Sequence, residues 1–178
     1  MKYTISAILI LISITIFGFR IAKKVQFEQN VSGYLKRAAD ANTIELAEKE
    51  LTKVIDFLEA NNLTSGYTSI IWQTPDEDID YWYRNLKASQ VELQTLESES
   101  ALEKTNVLIK LRETLLDVGE RTKVTVPDGL AVYPNNMMWA ILMLVATIVG
   151  SIGLMLPAVE YDKRMKAKMV AEKAASES

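Results

Sequence analysis

The sequence predicts a mainly α-helical protein in which two transmembrane helices flank an extracytoplasmic helical hairpin or bundle. A small β element near the membrane is a further expectation. Two segments, Tyr3–Phe19 and Met137–Leu156, contain no charged residue, and each approaches the roughly 17–25 apolar residues that a helix needs to cross ~30 Å of hydrocarbon. Between them, apolar residues recur at the three- and four-residue spacing of helices. We therefore divide the chain into an N-terminal transmembrane signal anchor (1–21), a helical domain (22–134), a second transmembrane helix (135–157) and a short basic tail (158–178).

The first apolar segment is expected to remain attached as a signal anchor. Lys2 precedes it, and Phe17-Gly18-Phe19-Arg20 ends it without the small-x-small pattern of a cleavage site. A cleaved signal peptide is the alternative.

Basic residues after the second segment favour a cytoplasmic carboxyl terminus, because Lys and Arg are enriched in cytoplasmic flanks. These residues are Lys163, Arg164, Lys166 and Lys168. Arg20, Lys23 and Lys24, after the first segment, oppose this orientation, but long domains translocate with less regard to charge. We expect a plasma or inner membrane protein whose central domain lies outside the cytoplasm and whose tail lies inside.

The composition excludes several function classes. The chain has no cysteine and no histidine, so it lacks thiolate chemistry, the commonest metal ligand and the commonest general base near neutral pH. Residues 22–134 hold 19 acidic and 13 basic side chains, a net of −6, which argues against nucleic acid as a partner. No cofactor or metal is predicted, and no carboxylate pair has a spacing that supports catalysis.

A calcium loop is also excluded. Asp76, Asp78 and Asp80 have the spacing of its first half, but Tyr81 and Lys87 stand where the loop needs Gly and Glu. An acidic first helical turn explains these carboxylates, because they complement the positive end of the helix dipole.

Helical periodicity divides the central domain. One apolar face, formed by Phe27, Val31, Tyr34 and Ala38, extends the first transmembrane helix; after a break at Asp40–Asn42, a second face consists of Ile44, Ala47, Leu51, Val54 and Leu58. Asn42 and Glu45 fit a capping box at the start of this second helix.

The clearest helix start is Thr74-Pro75, followed by acidic residues. The pattern runs from there to about Val118, with Gly119 as the expected stop, and Ser98–Ala101 is either a bend or a stutter. Residues 123–133 read as extended chain, which we expect to pair with Ile70–Trp72 as a small sheet.

Aromatic residues concentrate where the chain is expected to fold back, at a tip of the domain far from the membrane. Tyr67, Trp72, Tyr81 and Tyr83 are the candidate partner contacts, because such rings offer large contact area and a polar handle. The alternative, which we favour, is that the cluster plugs the end of the bundle. Ile79 and Trp82 share a core phase, whereas Tyr81 and Tyr83 are expected to face outward.

Small residues in the second apolar segment form a candidate packing seam. Ala146, Gly150 and Gly153 would allow close approach of the first transmembrane helix or of another subunit. The ordinary composition of membrane helices, in which Gly is frequent, is the alternative explanation.

The layout of anchor, helical domain and second anchor is similar to that of the input half of bacterial transmembrane receptors and to polysaccharide chain-length regulators. It departs from both, because the tail is too short for an output domain and the second segment has no proline-rich signature. We expect a non-catalytic accessory or scaffold subunit of a membrane complex, whose partners are the bilayer and another protein or further copies of the chain. The alternative is a membrane-anchored small-molecule or stress sensor, in which the bundle transmits a shift to the membrane helices.

Overall fold

The computed structural model describes residues 2–118 and 122–176, and it is mainly helical, as predicted. Its α-helices are α1 (Lys2–Phe27), α2 (Gly33–Ala39), α3 (Ile44–Ala60), α4 (Ile79–Thr95), α5 (Ala101–Leu115) and α6 (Asn136–Ser176). A π-helical turn, Glu28–Ser32, joins α1 to α2, and 3₁₀ turns occupy Pro75–Glu77 and Leu130–Val132. Strands β1 (Leu116–Val118) and β2 (Thr122–Val124) pair antiparallel, with Asp117 opposite Lys123.

The chain forms two compact units. Among the described residues, the first contains the chain up to Ile21 and from Met138 onward, and the second contains Ala22–Met137. Two helical stretches, Lys2–Ala39 and Asn136–Lys173, are long and apolar enough to cross a membrane by length and composition. Only 11% and 17% of the residues in their apolar windows are buried.

The second unit packs α2, α3, α4 and α5 around one apolar core. The predicted face of α3 is confirmed, since all five of its residues are buried: Ile44, Ala47, Leu51, Val54 and Leu58. Phe27, Val31 and Ala38 are buried as well, while Tyr34 packs partly buried against the core. Helical periodicity therefore identified correctly the core-facing residues of α3 and of the helical segment before it.

Side-chain pairs show that successive helices of the second unit run antiparallel. Arg37 of α2 meets Glu50 of α3, Thr52 of α3 meets Gln90 of α4, and Glu92 of α4 meets Lys110 of α5. Each reversal returns the chain along the previous helix. The end of α3 and the start of α4 therefore lie at the end of the unit where the π-helical turn enters it, and α3 packs against that turn.

The predicted helix from Thr74 to Val118 is interrupted twice. Residues 96–100 separate α4 from α5, with Leu96 and Ser100 in extended conformations, so the expected irregularity near Ser98–Ala101 is a bend. Serine side chains there compete for backbone groups, since Ser100 Oγ accepts from Glu103 N and Ser98 Oγ accepts from Ser100 N. The second interruption is β1, which begins at Leu116; the expected stop at Gly119 lies outside the described residues.

Both predicted helix starts are shifted in the structure. Thr43, not Asn42, caps α3, and its Oγ1 accepts a hydrogen bond from Leu46 N at 3.3 Å. Thr74 forms a capping box with Glu77, but on the 3₁₀ turn; Asp78 caps α4 itself through Tyr81 N. Asn, Asp and Thr can all cap a helix. Residue type alone therefore could not predict which of several neighbouring residues is the N-cap.

The predicted pairing of residues 123–133 with Ile70–Trp72 is wrong. Residues 122–124 pair instead with 116–118, next to them in the chain, which needs only a short connection. The following residue is fixed on both sides: Thr125 N donates to Leu115 O at 2.9 Å, and Trp82 Nε1 donates to Thr125 O at 2.7 Å. The hairpin is thereby held against the start of α4.

Candidate functional site

The segment between α3 and α4 is a loop with a closed base. Tyr67 and Asp78 form an antiparallel bridge, Thr68 N donates to Glu77 O at 3.1 Å, and Ile79 N donates to Gly66 O at 2.9 Å. These backbone bonds fix the two ends of the loop side by side, so that residues 69–76 form its outer part.

The base of this loop is bound to the residue that begins α6. The side-chain amide of Asn136 donates to the Thr68 carbonyl oxygen, and Gly129 lies against both side chains, because a Cβ there would be 3.4 Å from Asn136 Nδ2 and 3.8 Å from Thr68 Cβ. Met137, the next residue, starts the second apolar segment. Within the second unit, the base of the loop is therefore bound to the residue that precedes the second apolar segment.

The structure divides the aromatic cluster between surface and core. Trp72 and Tyr81 are 75% and 60% exposed, and Tyr67 is 37% exposed, whereas Trp82 is buried. Ile79 is buried too, as predicted. Two of the four candidate contacts, Trp72 and Tyr81, thus present most of their surface to the surroundings.

Tyr83, the fourth candidate, does not face outward as expected, because it is partly buried and packs against the core. Its hydroxyl donates to a carboxylate oxygen of Glu59 on α3, which Lys87 approaches at 3.4 Å. Burial, followed by the hydrogen bond to this carboxylate, raises the pKa of Tyr83 to about 12. The same hydrogen bond, with Lys87, holds the pKa of Glu59 below its usual range. Tyr83 therefore ties α4 to α3, and its hydroxyl is already engaged within the chain.

A groove opens beside Tyr81, between the start of α4 and the β1–β2 hairpin, with a cavity of about 710 Å³. Its carboxylates are Asp76, Glu77, Asp78, Asp117 and Asp128. Among the residues that the structure describes, Lys123 is its one cationic side chain, and Trp82 and Pro127 form part of its apolar wall. The groove therefore presents negative charge around an aromatic edge, a surface suited to a cationic ligand.

Sequence reasoning found only half of this groove. The acidic turn at Asp76–Asp78 was recognised as a helix start, but Asp117 and Lys123 come from a hairpin some forty residues later, and Asp128 from the segment after it. Only the tertiary fold brings the two segments together, and no local pattern in the sequence signals it.

In the first unit, hydroxyl groups of α1 reach the backbone of α6. Ser6 Oγ donates to Gly153 O at 2.6 Å, and Ser13 Oγ donates to Ala146 O at 2.9 Å. Both serines are buried, although their neighbours along α1 are mostly exposed. The two contacts are seven residues apart on each helix, so they repeat along one antiparallel seam.

The small residues of α6 that the sequence singled out lie on this seam. Ala146 is fully buried. A Cβ on Gly150 would lie 2.6 Å from Ser13 Oγ, and one on Gly153 would lie 2.9 Å from Ile10 Cγ1 and 3.3 Å from Ile10 N. No larger residue fits at these two positions without moving α1, which is the geometry expected of a small-residue helix contact.

The ends of the seam are closed by other contacts. Phe19 and Trp139 stack with ring centroids 5.9 Å apart, and Lys2 pairs with Glu160 at 2.9 Å. Thr147 and Ser151, by contrast, donate to carbonyls one turn back in α6 itself. The hydroxyls that join the helices are therefore those of Ser6 and Ser13, which sequence reasoning missed because serine is unremarkable in an apolar segment.

No protein-family model matches the chain, and no curated protein sequence or solved structure is significantly similar to it.

We predict that Gly153→Val destabilises the helix pair by about 1–3 kcal/mol, because the added side chain overpacks against Ile10. The measurement is the SDS titration of the purified chain in mild detergent, followed by circular dichroism and tryptophan fluorescence. Gly18→Val is the matched control, since a Cβ at Gly18 meets nothing within 4 Å. Equal midpoints for the two variants would contradict the seam.

We predict that Tyr83→Phe changes the pH dependence of stability. Above pH 10 the unfolded chain releases the tyrosine proton, whereas the folded chain keeps it to about pH 12, so wild-type stability falls over this window. Below pH 4.5, stability falls as the lowered pKa of Glu59 is reached. In the variant, we expect the loss of stability above pH 10 to disappear and the loss below pH 4.5 to become smaller.

The measurement is the melting temperature of the full chain across both pH ranges. Tyr81→Phe is the control, because the Tyr81 side chain is 60% exposed and its hydroxyl forms no hydrogen bond within the described residues. Parallel pH curves for wild type and Tyr83→Phe would count against the role given to the Glu59 contact.

Proposed function

We propose that this chain is a two-pass membrane protein that acts as a non-catalytic accessory subunit of a membrane complex, and that the acidic groove beside Tyr81 binds a basic segment of its partner. The groove is the observation that carries this proposal. Of the described residues, five carboxylates and one lysine line it, and opposite charge on a partner would both steer association and fix its register.

The exposure of the two apolar stretches supports the membrane assignment. Core helices of a soluble protein are mostly buried, whereas most residues in these windows are exposed. Exposed leucine, isoleucine and methionine side chains on this scale need an apolar solvent. The hydroxyl–backbone contacts of Ser6 and Ser13 add support, since interhelical hydrogen bonds and close packing hold membrane helices together.

For orientation, we propose that the second unit lies outside the cytoplasm and that the tail lies inside. The supporting residues are the four cations after the second segment, Lys163, Arg164, Lys166 and Lys168.

The orientation predicts opposite labelling of two single-cysteine variants in intact cells. Because the chain has no cysteine of its own, a membrane-impermeant maleimide should label Leu102→Cys and leave Lys168→Cys unlabelled until the cells are opened. Both residues are exposed, so burial does not bias the comparison. The reverse pattern would place the second unit in the cytoplasm.

A sensor is the second candidate, because the groove volume of about 710 Å³ lies within the ~300–1,000 Å³ of typical small-molecule sites. In this version a small organic cation, rather than a protein segment, neutralises the carboxylates. The exposed ring of Tyr81 would contribute a cation–π contact.

Purification of the tagged chain from native membranes in mild detergent tests the accessory-subunit proposal. We expect a partner to co-purify with the wild type, and to be lost when Asp76, Asp117 and Asp128 are changed together to asparagine. None of these three carboxylates caps a helix. The control changes Glu97, Glu99 and Glu113 to glutamine, which removes the same charge from exposed positions outside the groove.

Loss of the partner in the groove variant alone would support the proposal. A partner retained by both variants would contradict the groove as its binding site. A small homo-oligomer with nothing else bound, and unchanged in the groove variant, would favour the sensor. The next measurement would then be a rise in melting temperature with added organic cations.

A further inference from the structure

We propose that the loop of residues Ser69–Trp72 inserts Ile71 and Trp72 into the interfacial layer of the bilayer, beside the point where α6 enters it. This inference rests on the proposed membrane span of α6. It assigns a membrane-binding role to a loop that lies outside both membrane helices.

The loop displays apolar side chains that the second unit leaves uncovered. Ile70, Ile71 and Trp72 are consecutive, and they are 40%, 75% and 75% exposed. No charged residue interrupts the run from Ser69 to Trp72. Adjacent exposed isoleucine and tryptophan form a patch that an aqueous surface disfavours.

The loop is held in place, not loosely tethered. Its base is closed by the Tyr67–Asp78 bridge and by Thr68 N donating to Glu77 O. Its turn is closed by Trp72 N, which donates to Ser69 Oγ at 3.0 Å. The exposed side chains are therefore presented by an ordered turn, and less conformational entropy is lost when they bind.

The depth of the loop follows from Asn136, whose side chain binds the Thr68 carbonyl. The apolar run Met137–Leu156 contains about 20 residues, or ~30 Å of helix at 1.5 Å per residue, which matches the ~30 Å hydrocarbon thickness. Asn136 then lies at the edge of the hydrocarbon. Trp72 is four residues from Thr68, a reach of at most ~14 Å, so the loop begins at the headgroup level.

The residue types in the loop favour the lipid interface over a protein surface as the partner of this exposed patch. Tryptophan is enriched at the headgroup level, where its ring is partly apolar and its N–H can bond to water or lipid. Asp76, Glu77 and Asp78 lie four to six residues after Trp72, so anionic headgroups would repel this region. The inferred ligand is therefore the apolar-to-polar boundary of a zwitterionic bilayer, without a requirement for negative lipid.

Three single-cysteine variants of the full chain test the inference, each carrying one environment-sensitive fluorophore. Ile71→Cys reports on the loop, Ile148→Cys on the middle of α6, and Leu102→Cys on the second unit away from the loop. Leu102 is 71% exposed, closely matching the 75% of Ile71. Since Glu92 pairs with Lys110 and α4 and α5 are antiparallel, Leu102 lies ~30 Å along the bundle from Ile79.

Each variant is reconstituted into phosphatidylcholine vesicles with and without lipids that carry a nitroxide quencher, either at the headgroup or deep in the acyl chain. We expect the headgroup quencher to quench the label at position 71 several-fold more strongly than the label at position 102. We expect the deep quencher to act most strongly at position 148. Circular dichroism of the labelled variants verifies that each remains helical.

The outcomes separate this inference from the proposed function. Quenching at position 148 together with equal, weak quenching at positions 71 and 102 overturns the loop inference and leaves the membrane span intact; the loop then faces water or a protein. Absence of quenching at position 148 overturns the span, and the loop inference falls with it. Equally strong quenching at positions 71 and 102 also overturns it, because the whole unit would then lie on lipid.

Discussion

The approach of α1 to α6 at backbone distance is the constraint on which the first unit depends. The seam contains hydroxyl-to-carbonyl bonds at Ser6 and Ser13 and two glycines that a single methyl group would disrupt. In lipid, apolar side chains gain nothing by facing one another rather than acyl chains, so association depends on van der Waals contact and hydrogen bonds. Both become available only when the backbones are close, which explains why small residues and serines occur together along this seam.

The second unit depends on a different force, the burial of apolar side chains from water. Its core joins the π-helical turn, α2, α3, α4 and α5, and the pairs between helices are mostly surface contacts of modest value. Glu50 is an exception, because its buried carboxylate meets both Arg37 and Lys53 at 3.0 Å, and both cations lie over the Tyr34 ring. One chain thus combines two modes of packing, a close backbone approach in the first unit and an apolar side-chain core in the second.

The sequence revealed the helices and their faces, but not where the loops between them lie. Burial of Ile44, Leu51 and Trp82 could be predicted because helical spacing is local information. The position of Trp72 in the unit could not be predicted, because it depends on how many times the chain reverses direction before that residue. The turn at Asp40–Thr43 reverses the chain, so that α3 runs back along α2. The loop that follows α3 therefore lies beside Asn136. The groove was hidden for a similar reason, because two of the five carboxylates found among its described residues, Asp117 and Asp128, come from the distant hairpin and the segment after it.

The loop and the groove, considered together, restrict what the groove can bind. Asp76 is four residues after Trp72, so one wall of the groove begins a short distance along the chain from the inferred bilayer contact. Under the proposed function, a partner segment would then need positive charge at the membrane surface, on the same side as the second unit. This chain has such a segment of its own, because Lys23 and Lys24 follow the first apolar stretch, are exposed, and form no ion pair among the described residues. Homo-oligomer and hetero-complex therefore place the same electrostatic requirement on the groove, and they differ in whose lysines meet it.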